Sequence, residues 1–250
     1  MTEAAPRFSP PLTPPDRVVQ VLREQGYAVL GREGLCQWAA LPAAELDALA
    51  PTWDDLRPDA YLRDGGRYRS RRHSCFIVDG DNVTPVPHRA HWQPVEYNAL
   101  HGGMERWFEP LSADVLSRPV WPRLLSALAT ACSAMKGPGT WYVEAHQFRI
   151  DTTDGIGRPT PEGAHRDGVD FVAVLLVGRH GIKGGETRVF EADGPQGIRF
   201  TLTEPWSALL LDDARVIHES TPIQPLEAHG HRDTLVLTFR ARGFQGPAAP

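Results

Sequence analysis

Cysteine is scarce: Cys36, Cys75 and Cys132 are odd in number, far apart and never in a CxxC pair, which argues against a disulfide framework and a cysteine zinc site. Long apolar runs are missing too. No stretch approaches the ~18 residues needed to span a bilayer, and the opening MTEAAPRFSP lacks the charged-then-apolar order of a secretory signal. The chain therefore reads as cytoplasmic, with no membrane partner. Basic charge is not in excess, since 26 Lys and Arg stand against 31 Asp and Glu for a formal charge of -5. Without a global positive field to hold phosphate backbones, nucleic acid is not an expected partner. No internal repeat of about 20 to 50 residues is visible, which excludes a propeller or solenoid.

What is abundant is turn chemistry, with 23 Gly and 23 Pro in 250 residues. At 41% hydrophobic and 23% charged the chain can fill one full core. Residues 1–15 are rich in proline and lack hydrophobic periodicity, so they read as a disordered arm. Asp16 then caps a helical stretch stopped by Gly26, Tyr27 to Leu30 forms a strand, and Pro42 opens a second helix ending near Pro51. Between about 52 and 92 the pattern is lost. That stretch holds the one concentrated basic run, Arg63, Arg67, Arg69, Arg71 and Arg72, which reads first as a solvated loop or edge strand and second as a grip for an anionic substrate group. Helical texture returns over 98–136, closed by Gly137.

From Gly139 onward short strands alternate with turn clusters: WYVEAHQFRI, DFVAVLLVG, ETRVFEA, RFTLTE, SALLLDD, ARVIHES and HRDTLVLTFR. Strands at this spacing after a helical preface predict a mainly β fold with helices (α+β), a double sheet or jelly roll braced by the helices. The preface covers about 16–136, the jelly-roll core about 140–240, and 243–250 reads as a flexible tail.

The chemistry concentrates in His165, Asp167 and His218. In an extended strand i and i+2 share a face, so His165 and Asp167 can reach one metal ion while Arg166 points away. A histidine from another strand would complete two imidazoles and a carboxylate, a set that leaves adjacent positions of an octahedral Fe(II) open. About one H-x-[DE] triplet is expected by chance, and a second HRD stands at His231 to Asp233, but no histidine follows that one. Arg232 and Thr234 again sit at i and i+2, so a guanidinium and a hydroxyl can grip one carboxylate together.

In this order His165-x-Asp167, His218 and Arg232-x-Thr234 resemble the Fe(II)- and 2-oxoglutarate-dependent dioxygenases, whose fold is a distorted double-stranded β-helix. Gly184-Gly185-Glu186 before a strand and LLLDDARVIHES fit that likeness over about residues 140–240. GGMERWFEPL, EAHQFRI and PTPEGAHRDGVDFV resemble a bacterial branch that hydroxylates free L-amino acids, isoleucine hydroxylases among them, and extend the likeness to about 20–242. The resemblance implies a single dioxygenase domain over 16–242. It implies that His165, Asp167 and His218 ligate Fe(II), that 2-oxoglutarate chelates the metal, that Arg232 with Thr234 binds its 5-carboxylate, and that O2 is the oxidant. The expected activity is hydroxylation of a small free amino acid, aliphatic or cyclic, in secondary metabolism. Two rivals are the same chemistry on a carrier-bound or peptidyl residue, and a jelly roll that binds metal without turnover.

An amino-acid substrate needs a cation for its carboxylate and an acceptor for its ammonium. The strand 141–150 offers Glu144 and His146 on one face, the preferred pocket set, and Gln147 and Arg149 on the other; Asp170 is a further candidate amine partner. Trp92, Trp107 and Trp141 read as core in preference to a pocket roof. The loop 151–163 is a candidate lid.

Overall fold

The computed structural model describes residues 8–247. Among the described residues five α-helices, α1 (Val18–Gln25), α2 (Arg32–Trp38), α3 (Ala43–Asp47), α4 (Ala113–Leu116) and α5 (Val120–Lys136), accompany thirteen strands. The strands are β1 (Tyr27–Leu30), β2 (Arg57–Pro58), β3 (Arg69–Asp79), β4 (Asn82–Pro85), β5 (Trp141–Asp151), β6 (Phe171–His180), β7 (Ile182–Gly184), β8 (Thr187–Glu191), β9 (Gly197–Phe200), β10 (Ala208–Asp212), β11 (Val216–Ser220), β12 (Ile223–Pro225) and β13 (His231–Arg240). The large sheet runs β1-β10-β6-β13-β5-β3-β2, with β4 also on β3. Two small sheets, β11-β8-β9 and β12-β7, complete the antiparallel double-stranded β-helix.

Alternation along the long strands sorts side chains between two faces. Val143 and Ala145 of β5, Ala173 and Leu175 of β6 and Leu235, Leu237 and Phe239 of β13 join Leu22, Trp121, Leu124 and Leu128 of the helices in the main core. The opposite face packs Val172, Leu176 and Leu209 against Val189, Phe200 and Val216 from the small-sheet side. On β5 and β13 that face is polar, and there the site lies.

Several expectations are revised. Residues 8–15 are not a loose arm: Thr13 is buried, its amide donates to Val29 O at 2.7 Å, and Phe8 O accepts from Thr201 N. The first seven residues of that arm lie outside the described residues. Of the expected tail 243–250, residues 243–247 are described and docked. Gln245 is buried and donates to the carbonyls of Asp167 and Gly168 at 3.1 and 2.9 Å. The stretch 98–112 is irregular where helical texture was expected, and the helices there are the single turn α4 and the long α5. The basic run is no solvated edge: Arg69, Arg71 and Arg72 are buried on β3, which pairs with β5 over ten positions from Arg69↔Ile150 to Val78↔Trp141. Only Arg63 and Arg67 are exposed among them.

Candidate active site

His165 lies outside the regular strands. It forms one antiparallel bridge with His218 of β11, each amide donating to the other's carbonyl at 3.0 Å. The main chain thus sets the two imidazoles side by side, 4.6 Å between ring centroids and tilted by 44°. The strand geometry expected at 165–167 is replaced by a tight turn built on Asp213. This fully buried carboxylate accepts from the amides of Asp167, Gly168 and Val169 at 2.9, 2.8 and 3.0 Å. Gly168 has φ +71°, and a Cβ there would meet the Tyr97 ring at 2.4 Å, so only glycine lets the chain turn under that ring.

One ligand atom from each of His165, Asp167 and His218 lies within 4.8 Å of the others. His165 Nδ1 donates to Gly163 O at 2.9 Å, which leaves Nε2 with its lone pair toward Asp167, 3.9 Å away. His218 Nε2 is 3.8 Å from the same carboxylate. Burial pushes the Asp167 carboxyl up to about 6, with His165 opposing and Asp213 and Glu162 adding repulsion. Burial works against a charge on His165, but the Asp167 and Glu162 carboxylates prevail and raise it. Burial, helped by His165, holds His218 well below its usual value. Two imidazoles and a carboxylate that carries no hydrogen-bonded cation fit a divalent ion that favours mixed nitrogen and oxygen ligands, whose charge would take the place of a proton on His165.

The trio opens on a cavity of about 130 Å³ whose opposite wall is the polar face of the large sheet. The registers of β13, β5 and β3 line up in rows there. Arg232 pairs with Ile150 and Ile150 with Arg69; Thr234 with Phe148 and Phe148 with Arg71; Val236 with His146 and His146 with His73; Thr238 with Glu144 and Glu144 with Cys75. Arg232 is buried, and no hydrogen bond among the described residues engages its guanidinium. Burial and then Arg179 push it down to about 10. Thr234, also buried, lines the cavity beside it.

Glu144 and His146 share the cavity face. Gln147 and Arg149 point to the other side: Gln147 Nε2 donates to Thr52 Oγ1 at 2.9 Å, and Arg149 is forked onto Asp233 at 2.8 and 2.7 Å. Asp170 is tied to Lys136 at 2.6 Å and to the Ala241 amide at 2.8 Å, away from the cavity. Alternation alone separates these sets once one face is known. The second HRD is on β13, its Asp233 held by Arg149. Trp141 is core with its Nε1 on Ser133, while Trp107 is 51% exposed, and neither lines the cavity, nor does Trp92. The loop 151–163 lies over the site. Gly157 bridges Ile223, and Thr160 Oγ1 both donates to Ser220 O and accepts from its amide.

Three contributors were not singled out in the sequence, although Arg106 stands inside GGMERWFEPL. Gln93 Nε2 donates to Asp167 Oδ1 at 3.2 Å while its Oε1 accepts from Arg106 at 2.9 Å and Asn98 at 3.1 Å. Arg106 and His91, paired to each other by main-chain hydrogen bonds, also line the cavity. All three lie in an irregular segment where no periodicity marks inward positions. A second group, His73, His91, Glu144 and His146, gathers potential ligand atoms within 4.8 Å of one another.

A double-stranded β-helix with two histidines and a carboxylate at its mouth defines a class of non-haem iron oxygenases, and the sequence agrees. It matches the model of the 2OG-Fe dioxygenase family over residues 50–238, and the chain belongs to that family. The enzyme is accordingly a dioxygenase that uses Fe(II), 2-oxoglutarate and O2. A BsmA homolog from Methylobium petroleophilum PM1 is 55% identical, with 96% of this chain and 98% of that one covered at a TM-score of 0.91. IDO from Bacillus thuringiensis shares the fold at 17% identity, covering 91% and 99% with TM-score 0.69. The Fe(II)/α-ketoglutarate-dependent dioxygenase TqaL shares it at 18%, covering 90% and 86% with TM-score 0.68. No curated protein matched the sequence. No helix among the described residues is long and apolar enough to cross a membrane.

Proposed function

We propose that this dioxygenase hydroxylates a small free L-amino acid, with His165, Asp167 and His218 holding Fe(II) and Arg232 with Thr234 binding the distal carboxylate of 2-oxoglutarate. The observation that carries the cosubstrate assignment is the buried, unengaged guanidinium of Arg232 on the same cavity as the trio. Burying a cation without a partner is costly, and a carboxylate from a ligand would relieve it. Bound iron would supply oxygen activation coupled to the decarboxylation of 2-oxoglutarate to succinate. The chain's own part is placement. The Gly163 carbonyl fixes the His165 tautomer, the Asp213 turn aims Asp167, and the loop held at Gly157 and Thr160 keeps water from the cavity.

The amino-acid reading is supported by cavity size, by cationic and anionic side chains facing the same space, and by the resemblance of EAHQFRI and PTPEGAHRDGVDFV to amino-acid hydroxylases. Anaerobic reconstitution with Fe(II) and 2-oxoglutarate, then succinate release on admitting air across a panel of free L-amino acids, tests it. One amino acid should stimulate turnover and gain one oxygen. Turnover only with carrier-bound or peptidyl substrates would replace this reading, and binding of iron without any turnover would favour the non-catalytic rival.

A further inference from the structure

We propose that the cavity end formed by β3, β5 and the segment 91–106 reads both charges of a zwitterion, Arg71 and Arg106 taking the substrate carboxylate and Glu144 its free ammonium. This rests on the amino-acid reading above and narrows it: both termini of the substrate must be unblocked.

The cationic half comes from an imbalance of partners. Arg69, Arg71 and Arg106 all line the cavity at 2–6% exposure. Asp59 is the carboxylate within ion-pair distance of Arg69 and Arg71, and it is already committed. It accepts from Arg69 Nε at 2.7 Å and from the Tyr61 amide at 2.8 Å, with Arg71 Nη1 only at 3.9 Å. Arg71 Nη2 instead donates to His146 Nδ1 at 2.7 Å, and Arg106 Nη2 to Gln93 Oε1 at 2.9 Å. Both partners are neutral, since burial holds His146 well below its usual pKa. No other hydrogen bond among the described residues uses either guanidinium. Burial first, and neighbouring arginine next, push Arg106 down to about 10. The Arg71 plane is clamped between Phe108 and Phe148, 3.9 and 4.4 Å from its carbon, so its orientation is set before a ligand arrives.

The anionic half is Glu144. Its Oε2 accepts from His73 Nε2 and His91 Nδ1, each at 2.8 Å. Burial keeps both rings neutral, that of His91 down to about 3. These donors, outweighing burial, hold the carboxyl well below its usual range, so it is ionised while its neighbours at hydrogen-bond distance carry no charge. Oε1 makes no hydrogen bond among the described residues. The Glu144 charge acts on both Arg71 and Arg106, and all three side chains line the same cavity, so one small ligand can meet both signs there.

The four residues His73, His91, Glu144 and His146 invite a metal instead, but their protons oppose it. His73 and His91 hold N–H groups on Glu144, and Arg71 occupies His146 Nδ1. A dication would have to displace a buried guanidinium.

Calorimetry under anaerobic conditions with the Fe(II)- and 2-oxoglutarate-loaded enzyme decides the matter. The probes are L-isoleucine, L-leucine, L-valine and L-proline, each also as its N-acetyl and its carboxamide form, followed by succinate release on admitting air. Blocking either end should weaken binding roughly 10- to 100-fold, the worth of a charged hydrogen bond. Glu144→Gln should cost the free amino acid a comparable factor and the N-acetyl form little; Arg106→Gln should cost the free acid and spare the carboxamide. Thermal melts confirm that the variants fold, and Glu162→Gln, on the ligand side of the cavity, serves as comparison. If a free amino acid is turned over but its N-acetyl form binds as well, or Glu162→Gln and not Glu144→Gln removes the amine preference, the zwitterion site is overturned and the amino-acid reading stands. If only thioester or peptidyl substrates are turned over, both fall. Two irons per chain rather than one would restore the metal reading of the second cluster and overturn this one.

Discussion

Arg232 shows how much a single side chain can say when its surroundings are counted. A buried cation ordinarily brings its counterion with it; here the neighbour across β13 on one side is Ile150, and burial first and Arg179 second push its pKa down against the weaker pull of Asp233. Replacing it by alanine should raise the apparent KM for 2-oxoglutarate by roughly tenfold or more, the equivalent of one charged hydrogen bond, while iron content stays at one per chain. An unaltered KM would remove Arg232 from the cosubstrate site. His165→Ala and Asp167→Ala differ in readout: equilibrium dialysis should show loss of stoichiometric Fe(II), and retained iron would move the metal elsewhere. Residue identity and order made these positions legible in the sequence, because a metal set and a carboxylate fork need particular side chains whatever the local backbone does.

At the scale of elements, the turn 167–169 depends on a residue that stands inside LLLDDARVIHES but had no role of its own assigned from sequence. Asp213 supplies both oxygens to three amides and contacts no ligand space of its own. Asp213→Ala should cost about 2–4 kcal/mol in a denaturant titration, the price of leaving buried donors unmet, and should weaken Fe(II) binding; Asp213→Asn, which keeps one oxygen, should recover part of both. A variant of unchanged stability and iron affinity would show that the turn holds itself. Strands β5, β6 and β13 were legible because apolar residues alternate along them toward the helices. Strand β3 was not, because its inward face carries Arg69, Arg71 and His73, residues that a hydrophobicity pattern assigns to solvent. The paired strands β7 and β12 escaped notice for a different reason: three residues each are too few to show a period. Gln93 and Arg106 belong to a segment held by side-chain and bridge hydrogen bonds, for which no periodicity marks the inward positions.

Across the whole molecule, the buried histidines give stability a particular pH dependence. His73, His91 and His146 are all held below the ordinary 6.5 by burial. Above that value folded and unfolded chains are alike, both uncharged at these positions. Below it the unfolded chain takes up protons the native one refuses, so stability falls by up to about 1.4 kcal/mol per pH unit for each ring. Glu144, held low, adds its own loss only at more acid pH, as its stabilisation disappears toward the folded pKa. Denaturation midpoints should therefore decline from near pH 6.5 downward, and the decline should flatten in His73→Gln; a midpoint constant to pH 5 would mean that the rings titrate normally in the fold. The rows that β13, β5 and β3 present to the cavity have one more consequence, for redesign. Because alternate positions face the helices, codons 144, 146 and 148 form a cassette that can be randomised without touching the apolar layer behind it, and screening that one short stretch for new substrates leaves the metal-binding trio, contributed from the other side, out of the library.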